Sequence, residues 1–145
     1  MPIRTSGPGS GMKLSSKTIT FDGTAGNGAA GTVSWFTVTG DVLIGTISGF
    51  CSVDLTGATS TITLGVTNAT ALFIAATTCT TLDAGTFWVS TTATANGIAL
   101  PAATKDVIIT QNIVTTIATA DTTAGTLRVD IYWLPLSSDG LVVPA

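Results

Sequence analysis

The sequence predicts an all-β chain: one domain, a β-sandwich or jelly roll of about nine short strands, with an extended arm at its N-terminus. Three observations carry this. Turn signals recur along the chain, at Asp22-Gly23, Asn27-Gly28, Thr56-Gly57, Asp83-Ala84-Gly85, Asn96-Gly97-Ile98 and Ala124-Gly125. The segments between them are β-formers whose polarity alternates. Helix formers are scarce, with no Glu, one Gln and three Lys. A length of 145 residues suits a single core.

The elements follow in order. Residues 1–11 hold Pro2, Gly7, Pro8, Gly9 and Gly11 with almost no apolar content, so they are expected to form an arm that cannot fold alone and docks on a partner. Gly7-Pro8-Gly9-Ser10 ahead of Met12 also has the pattern of a cloning scar. Residues 12–134 form the sandwich body, with strands expected over 13–21, 32–39, 42–53, 59–66, 71–75, 86–90, 106–110, 113–119 and 126–134. In the fourth, Ile62, Leu64 and Val66 share one face and Thr61 and Thr63 the other. In the last, Leu127, Val129, Ile131 and Trp133 face one way while Arg128, Asp130 and Tyr132 face the opposite way. Residues 135–145 are apolar and interrupted by Pro135 and Pro144. Pro cannot join a central strand, so this stretch is expected to be an extended tail lying on a partner.

Composition excludes several functions. There is no His, hence no imidazole base, no His-dependent triad and no His metal site. Five Lys and Arg against eight Asp give a net charge of −3, which suits neither nucleic acid nor an anionic membrane. No run of 18 residues is apolar enough to span a bilayer, and Met1-Pro2-Ile3-Arg4 does not lead into a signal-peptide core, so cytoplasmic synthesis is expected. Charged residues make up 9% of the chain, against about 25% in ordinary soluble domains. A monomer of this mass exposes roughly 6,900 Å², so its charges lie about 530 Å² apart. So thinly charged a surface is expected to be buried in an assembly.

The motifs that could carry chemistry are weak. Gly26-Asn27-Gly28-Ala29-Ala30-Gly31 has the G-x-G-x-x-G spacing of a dinucleotide site, with Asp54 23 residues beyond. That motif needs a helix to follow, and Thr32 to Val38 is strongly β, so a loop between strands is expected and no cofactor. Asp22 with Asn27, or Asp121 with nearby hydroxyls, lacks the spacing of a calcium loop; Asp beside Gly is a turn residue, so no metal is expected. Cys51 and Cys79 have no His and no adjacent cation to activate them, and they are expected as buried thiols, their pairing left open. Thr-x-Thr pairs at Thr18/Thr20, Thr37/Thr39, Thr61/Thr63 and Thr92/Thr94 lack the regular repeat of an ice-binding array and read as solvent-facing β-formers. No catalytic set survives, and a non-enzymatic protein is expected. In the adjacent aromatic pairs Trp35-Phe36 and Phe87-Trp88, strand alternation points one partner out of the core, where it would serve as a subunit contact.

The stretch Asp41-Val42-Leu43-Ile44-Gly45-Thr46-Ile47-Ser48-Gly49, then Thr61-Ile62-Thr63-Leu64-Gly65-Val66, then Leu82-Asp83-Ala84-Gly85-Thr86-Phe87-Trp88-Val89, and the ending Leu127 to Gly140 share a Thr/Ala/Gly-rich strand grammar. Over residues 32–141 this resembles the small β-rich virion proteins of tailed bacteriophages. The resemblance implies a capsid decoration (cement) protein, a homotrimer that stabilises the head by bridging subunits of the major capsid protein, located in the virion. A tail, baseplate or fibre component contacting the host is the alternative. The assembly contacts expected on these grounds are Pro2, Ile3 and Arg4 of the arm, Trp35 and Trp88 of the body, and Leu136 and Val142 of the tail.

Overall fold

The computed structural model describes residues 11–97 and 99–145. The chain runs through β1 (Lys13–Thr20), β2 (Gly31–Thr39), β3 (Val42–Thr56), β4 (Thr61–Val66), β5 (Ala69–Thr78), β6 (Thr86–Trp88), β7 (Thr94–Ala95), β8 (Val107–Ile109), β9 (Ile113–Ala118), β10 (Ala124–Pro135) and β11 (Leu141–Pro144). Two 3₁₀ turns, Cys79–Thr81 and Ala102–Thr104, lie among them. Each of the nine expected strands has a counterpart here.

The strands form two antiparallel sheets, one in the order β1-β10-β3-β6-β7 with β8 also on β3, the other in the order β11-β2-β9-β4-β5. The pairs β1/β10, β2/β9, β3/β6 and β4/β5 are nested, early strands meeting late ones. The chain is thus a long antiparallel ribbon rolled up so that its strands are shared between two sheets. Without β7, β8 and β11, this is the eight-stranded jelly roll. Propensity left sandwich and jelly roll open; the pairing decides between them.

The core lies between the sheets and is filled by the alternating inward residues: Ile19 of β1, Ile44, Ile47 and Cys51 of β3, Leu127, Val129, Ile131 and Trp133 of β10, and Ile62, Leu64 and Ile74 from the facing sheet. Each long side of the sandwich is closed through an indole. On one, Trp133 Nε1 donates to Ser15 Oγ at 2.9 Å, and Ser15 Oγ donates to the Val142 carbonyl at 2.7 Å. On the other, Trp88 Nε1 donates to Thr77 Oγ1 at 2.8 Å, and Thr77 Oγ1 donates to the Ser90 carbonyl at 3.0 Å. A buried indole N–H needs an acceptor, and a hydroxyl that also donates onward satisfies both groups while tying one sheet to the other.

The tail differs from expectation. Residues 141–144 are β11, hydrogen-bonded to β2 of their own chain from Leu141↔Thr39 to Pro144↔Phe36. Pro144 is tolerated because β11 is an edge strand, with no neighbour on its other side among the described residues. Residues 1–10, and with them most of the expected arm, lie outside the described residues.

Candidate assembly surface

Of the expected contacts, Pro2, Ile3 and Arg4 lie outside the described residues. Trp35, Trp88 and Val142 are corrected: all three are buried within one chain. Trp35 fails because strand alternation fails locally. The β2–β9 register slips between Ser34 and Phe36, so Trp35 is the extra residue of a bulge, and it and Phe36 both turn inward. In the Phe87-Trp88 pair alternation holds, but the partner that leaves the core is Phe87. Val142 points inward between Leu141 and Val143, where its carbonyl receives Ser15. Leu136 is exposed, at 49%.

The outward surfaces of the two sheets carry different chemistry. The first sheet's outer face bears large apolar groups in cross-strand rows. Leu14 of β1 stands opposite Tyr132 of β10, and Leu134 of β10 opposite Leu43 of β3, which faces Ile108 of β8. Leu14, Tyr132 and Ile108 are 54%, 45% and 63% exposed. A further row crosses five strands, Thr18, Arg128, Phe50, Phe87 and Thr94. The Phe50 and Phe87 rings meet there at 5.3 Å between centroids. Between these rows sits a polar pair. Arg128 Nε donates to Asp130 Oδ2 at 2.8 Å, Ser16 Oγ donates to Asp130 Oδ1 at 2.6 Å, and the guanidinium lies 5.6 Å from the centroid of Phe50. Leu14, Ser16, Ser48, Arg128, Asp130 and Tyr132 line a shallow depression of about 400 Å³.

The second sheet has no charged residue in any of its five strands. Its outer face carries small and hydroxyl side chains: Thr32, Thr116 and Thr63 form a row across β2, β9 and β4, with Thr32 and Thr116 hydroxyls 2.7 Å apart, and Ala69, Ala71, Ala75 and Ala76 of β5 are exposed. A Cβ on Gly65 would stand 2.1 Å from the Ala69 carbonyl oxygen, so β5 begins by crossing close over β4 on this side. Leu141 and Val143 are the exposed apolar residues at its β11 edge.

The residues singled out for chemistry have structural partners. The glycine-rich segment 26–31 is a loop leading into β2, with no helix after it. Gly28, at φ +123°, brings the chain so close to the Thr122 carbonyl that a Cβ would lie 2.1 Å away. Asp22 Oδ1 accepts from the Thr24 backbone and hydroxyl, Asp54 Oδ1 from Ala84 N, and Asp121 Oδ1 from Ala30 N, so all three brace turns. Cys51 and Cys79 are free and buried. Burial pushes the Cys51 thiol up from its ordinary value, which keeps it protonated. Cys79, Thr122 and Ser60 make a buried hydroxyl–thiol chain, and among the described residues no base hydrogen-bonds to it. Among the described residues no three His, Cys, Asp or Glu gather to hold a metal, and no helix is long and apolar enough to cross a membrane.

The outward residues that the expected contacts left out are Leu14, Ile108, Arg128 and Tyr132, which are exposed, and Phe50, which is half-buried. The signal for Arg128 and Tyr132 was present in the alternation of β10. Ile108 gave none, because Val107-Ile108-Ile109 is apolar on both faces.

No family model matches the chain, and no curated protein matches it. Among solved structures, its fold is similar to that of a chain of the cyanophage Pam1 capsid asymmetric unit, at a TM-score of 0.52 and 19% identity over 93% of this chain and 94% of that one.

Proposed function

We propose that the chain is a non-enzymatic structural protein of a phage virion. Within that role it acts as a capsid decoration (cement) protein, a trimer that stabilises the head by bridging adjacent capsid subunits. The observation that carries this reading is a fold shared end to end, over 93% of this chain, with a chain of a phage capsid asymmetric unit. Fold alone does not assign function, but the chemistry agrees. The chain has few charges and no His, and Asp22, Asp54 and Asp121 brace turns. Its first sheet displays Leu14, Tyr132 and Ile108 to solvent, as a subunit that buries surface against neighbours would.

The test is quantitative peptide mass spectrometry across a density gradient of the source lysate. A decoration protein migrates with intact particles at copy numbers comparable to the shell protein. A few copies per particle would move it to the tail or a vertex. Recovery only in the soluble fraction would overturn the virion role.

A further inference from the structure

We propose that Asn96-Gly97 is a site of spontaneous deamidation, where the chain gains a carboxylate as the protein ages, and that the fold protects the same dipeptide at Asn27-Gly28. The site does not depend on the virion role.

The chemistry belongs to the dipeptide. The backbone nitrogen of the residue after an Asn attacks the side-chain amide carbon, Cγ. The new N–Cγ bond closes a succinimide ring, and the amide nitrogen leaves as ammonia, carrying the proton that the backbone nitrogen gave up. Solvent water then opens the ring at either carbonyl, giving aspartate or isoaspartate. Water is consumed, ammonia is released, and nothing is oxidised or reduced. Glycine speeds the attack because it puts no Cβ in the way and lets the backbone turn. Of the four Asn in the chain, Asn27 and Asn96 precede Gly, while Asn68 precedes Ala69 and Asn112 precedes Ile113.

Ring closure requires the peptide plane between the two residues to rotate, and the two sites differ in that freedom. At the first, the Asn27 carbonyl accepts from Asp22 N at 2.8 Å and from Gly23 N at 3.1 Å, and the Gly28 carbonyl accepts from Thr122 N at 2.8 Å. Gly28 is buried, and a Cβ on it would stand 2.1 Å from the Thr122 carbonyl oxygen. Rotation there would break hydrogen bonds and has no room. At the second site Asn96 and Gly97 are both exposed. The β6–β7 ladder ends at Thr86↔Ala95, so Asn96 lies just past it. Among the described residues no turn or loop hydrogen bond holds the Asn96 carbonyl or the Gly97 N–H. A Cβ on Gly97 would meet nothing within 4 Å.

Conversion places a carboxylate at the rim of a depression lined by Ser48, Phe87, Val89, Gly97 and Leu100, and takes the net charge one unit below −3. On so thinly charged a surface a single added charge changes the local field strongly. Isoaspartate also adds a methylene to the main chain, in the connection after β7 and away from the core.

The experiment incubates the purified full-length chain for weeks at mildly alkaline pH, folded and in urea. Peptide mass mapping follows each Asn, with fragmentation that separates isoaspartate from aspartate. Gly97→Ala is the matched variant: its methyl has open space, so circular dichroism should show an unchanged fold while the attack is hindered. The folded wild type should accumulate an acidic form whose mass gain maps to Asn96, with isoaspartate present and Asn27 intact. In urea Asn27 should convert as readily as Asn96. Gly97→Ala should convert at Asn96 at least about tenfold more slowly. Asn96 intact in the folded chain over a time in which it converts in urea would overturn the proposal. So would Asn27 converting alongside Asn96 in the folded chain. Equal rates in wild type and Gly97→Ala, without isoaspartate, would mean direct hydrolysis and would overturn the ring route.

Discussion

The outer faces of the two sheets teach more than the core between them. Inside, the sheets are alike: Ile, Val and Leu alternate inward from both, and each side of the sandwich is sealed by an indole and a hydroxyl. Outside they diverge. The second sheet shows threonine and no charge on any strand, while the first shows Leu14, Tyr132, Ile108 and the Phe50–Phe87 pair around Arg128. A β-former that hydrates well suffices for a face with nothing to meet. Solvent-exposed aliphatics such as Leu14 and Ile108 give a monomer little folding advantage. Inner faces are constrained by packing, and outer faces are free to reflect use.

This contrast can be broken by mutation. The largest effect belongs inside. Trp88→Ala removes a fully buried indole and the N–H that Thr77 Oγ1 accepts, and should lower stability by about 3–5 kcal/mol in urea unfolding. Tyr132→Ala, on the outer face, should cost under about 1 kcal/mol; a loss like that of Trp88→Ala would mean that the outer face is structural after all. Next comes Arg128. Its pair with Asp130 is largely exposed, so Arg128→Met should change folding stability by less than about 1 kcal/mol. A smaller change is expected on the threonine face. Among the described residues the buried Thr63 hydroxyl has no hydrogen-bond partner, so Thr63→Val, of nearly the same shape, should raise stability by up to about 1 kcal/mol. A measured loss would mean that this face hides a partner for the hydroxyl.

The smallest effect concerns acid. Hydrogen bonds from the Thr24 side chain and backbone hold the Asp22 carboxyl below its ordinary value of 3.8. The ionised form therefore favours the folded state above that value, and the benefit fades as pH falls below it through the lowered folded value. Asp22→Asn should flatten stability against pH in that window alone. An unchanged profile would show that the turn does not depend on the charge.

Much of this architecture was legible beforehand, because short strands with turn residues between them leave a period of two. β10 announced both its faces, with Leu127 to Trp133 inward and Arg128 and Tyr132 outward. Where reading failed, a local event had broken the period. The bulge at Trp35 turned two successive aromatics inward, and β7, at two residues, is too short to show a pattern. β11 was hidden by Pro144, which forbids a central strand and permits an edge one. The jelly-roll order was beyond reach, since β1 finds β10 across more than a hundred residues and no local propensity encodes that pairing. The outward apolar groups of the first sheet went unnamed because the largest aromatics drew the expectation. The buried Trp35 and Trp88 hold the core, and smaller groups at Leu14 and Ile108 face outward.

The central claim is that this chain sits on a phage shell with its first sheet turned toward a partner. A cryo-electron microscopy reconstruction of particles that contain it, at a resolution that traces strands, tests this most directly. The account predicts a density for the jelly roll on the shell, with β1, β10 and β3 facing a neighbouring subunit. A subunit seated on its threonine face, with Arg128 open to solvent, would contradict it.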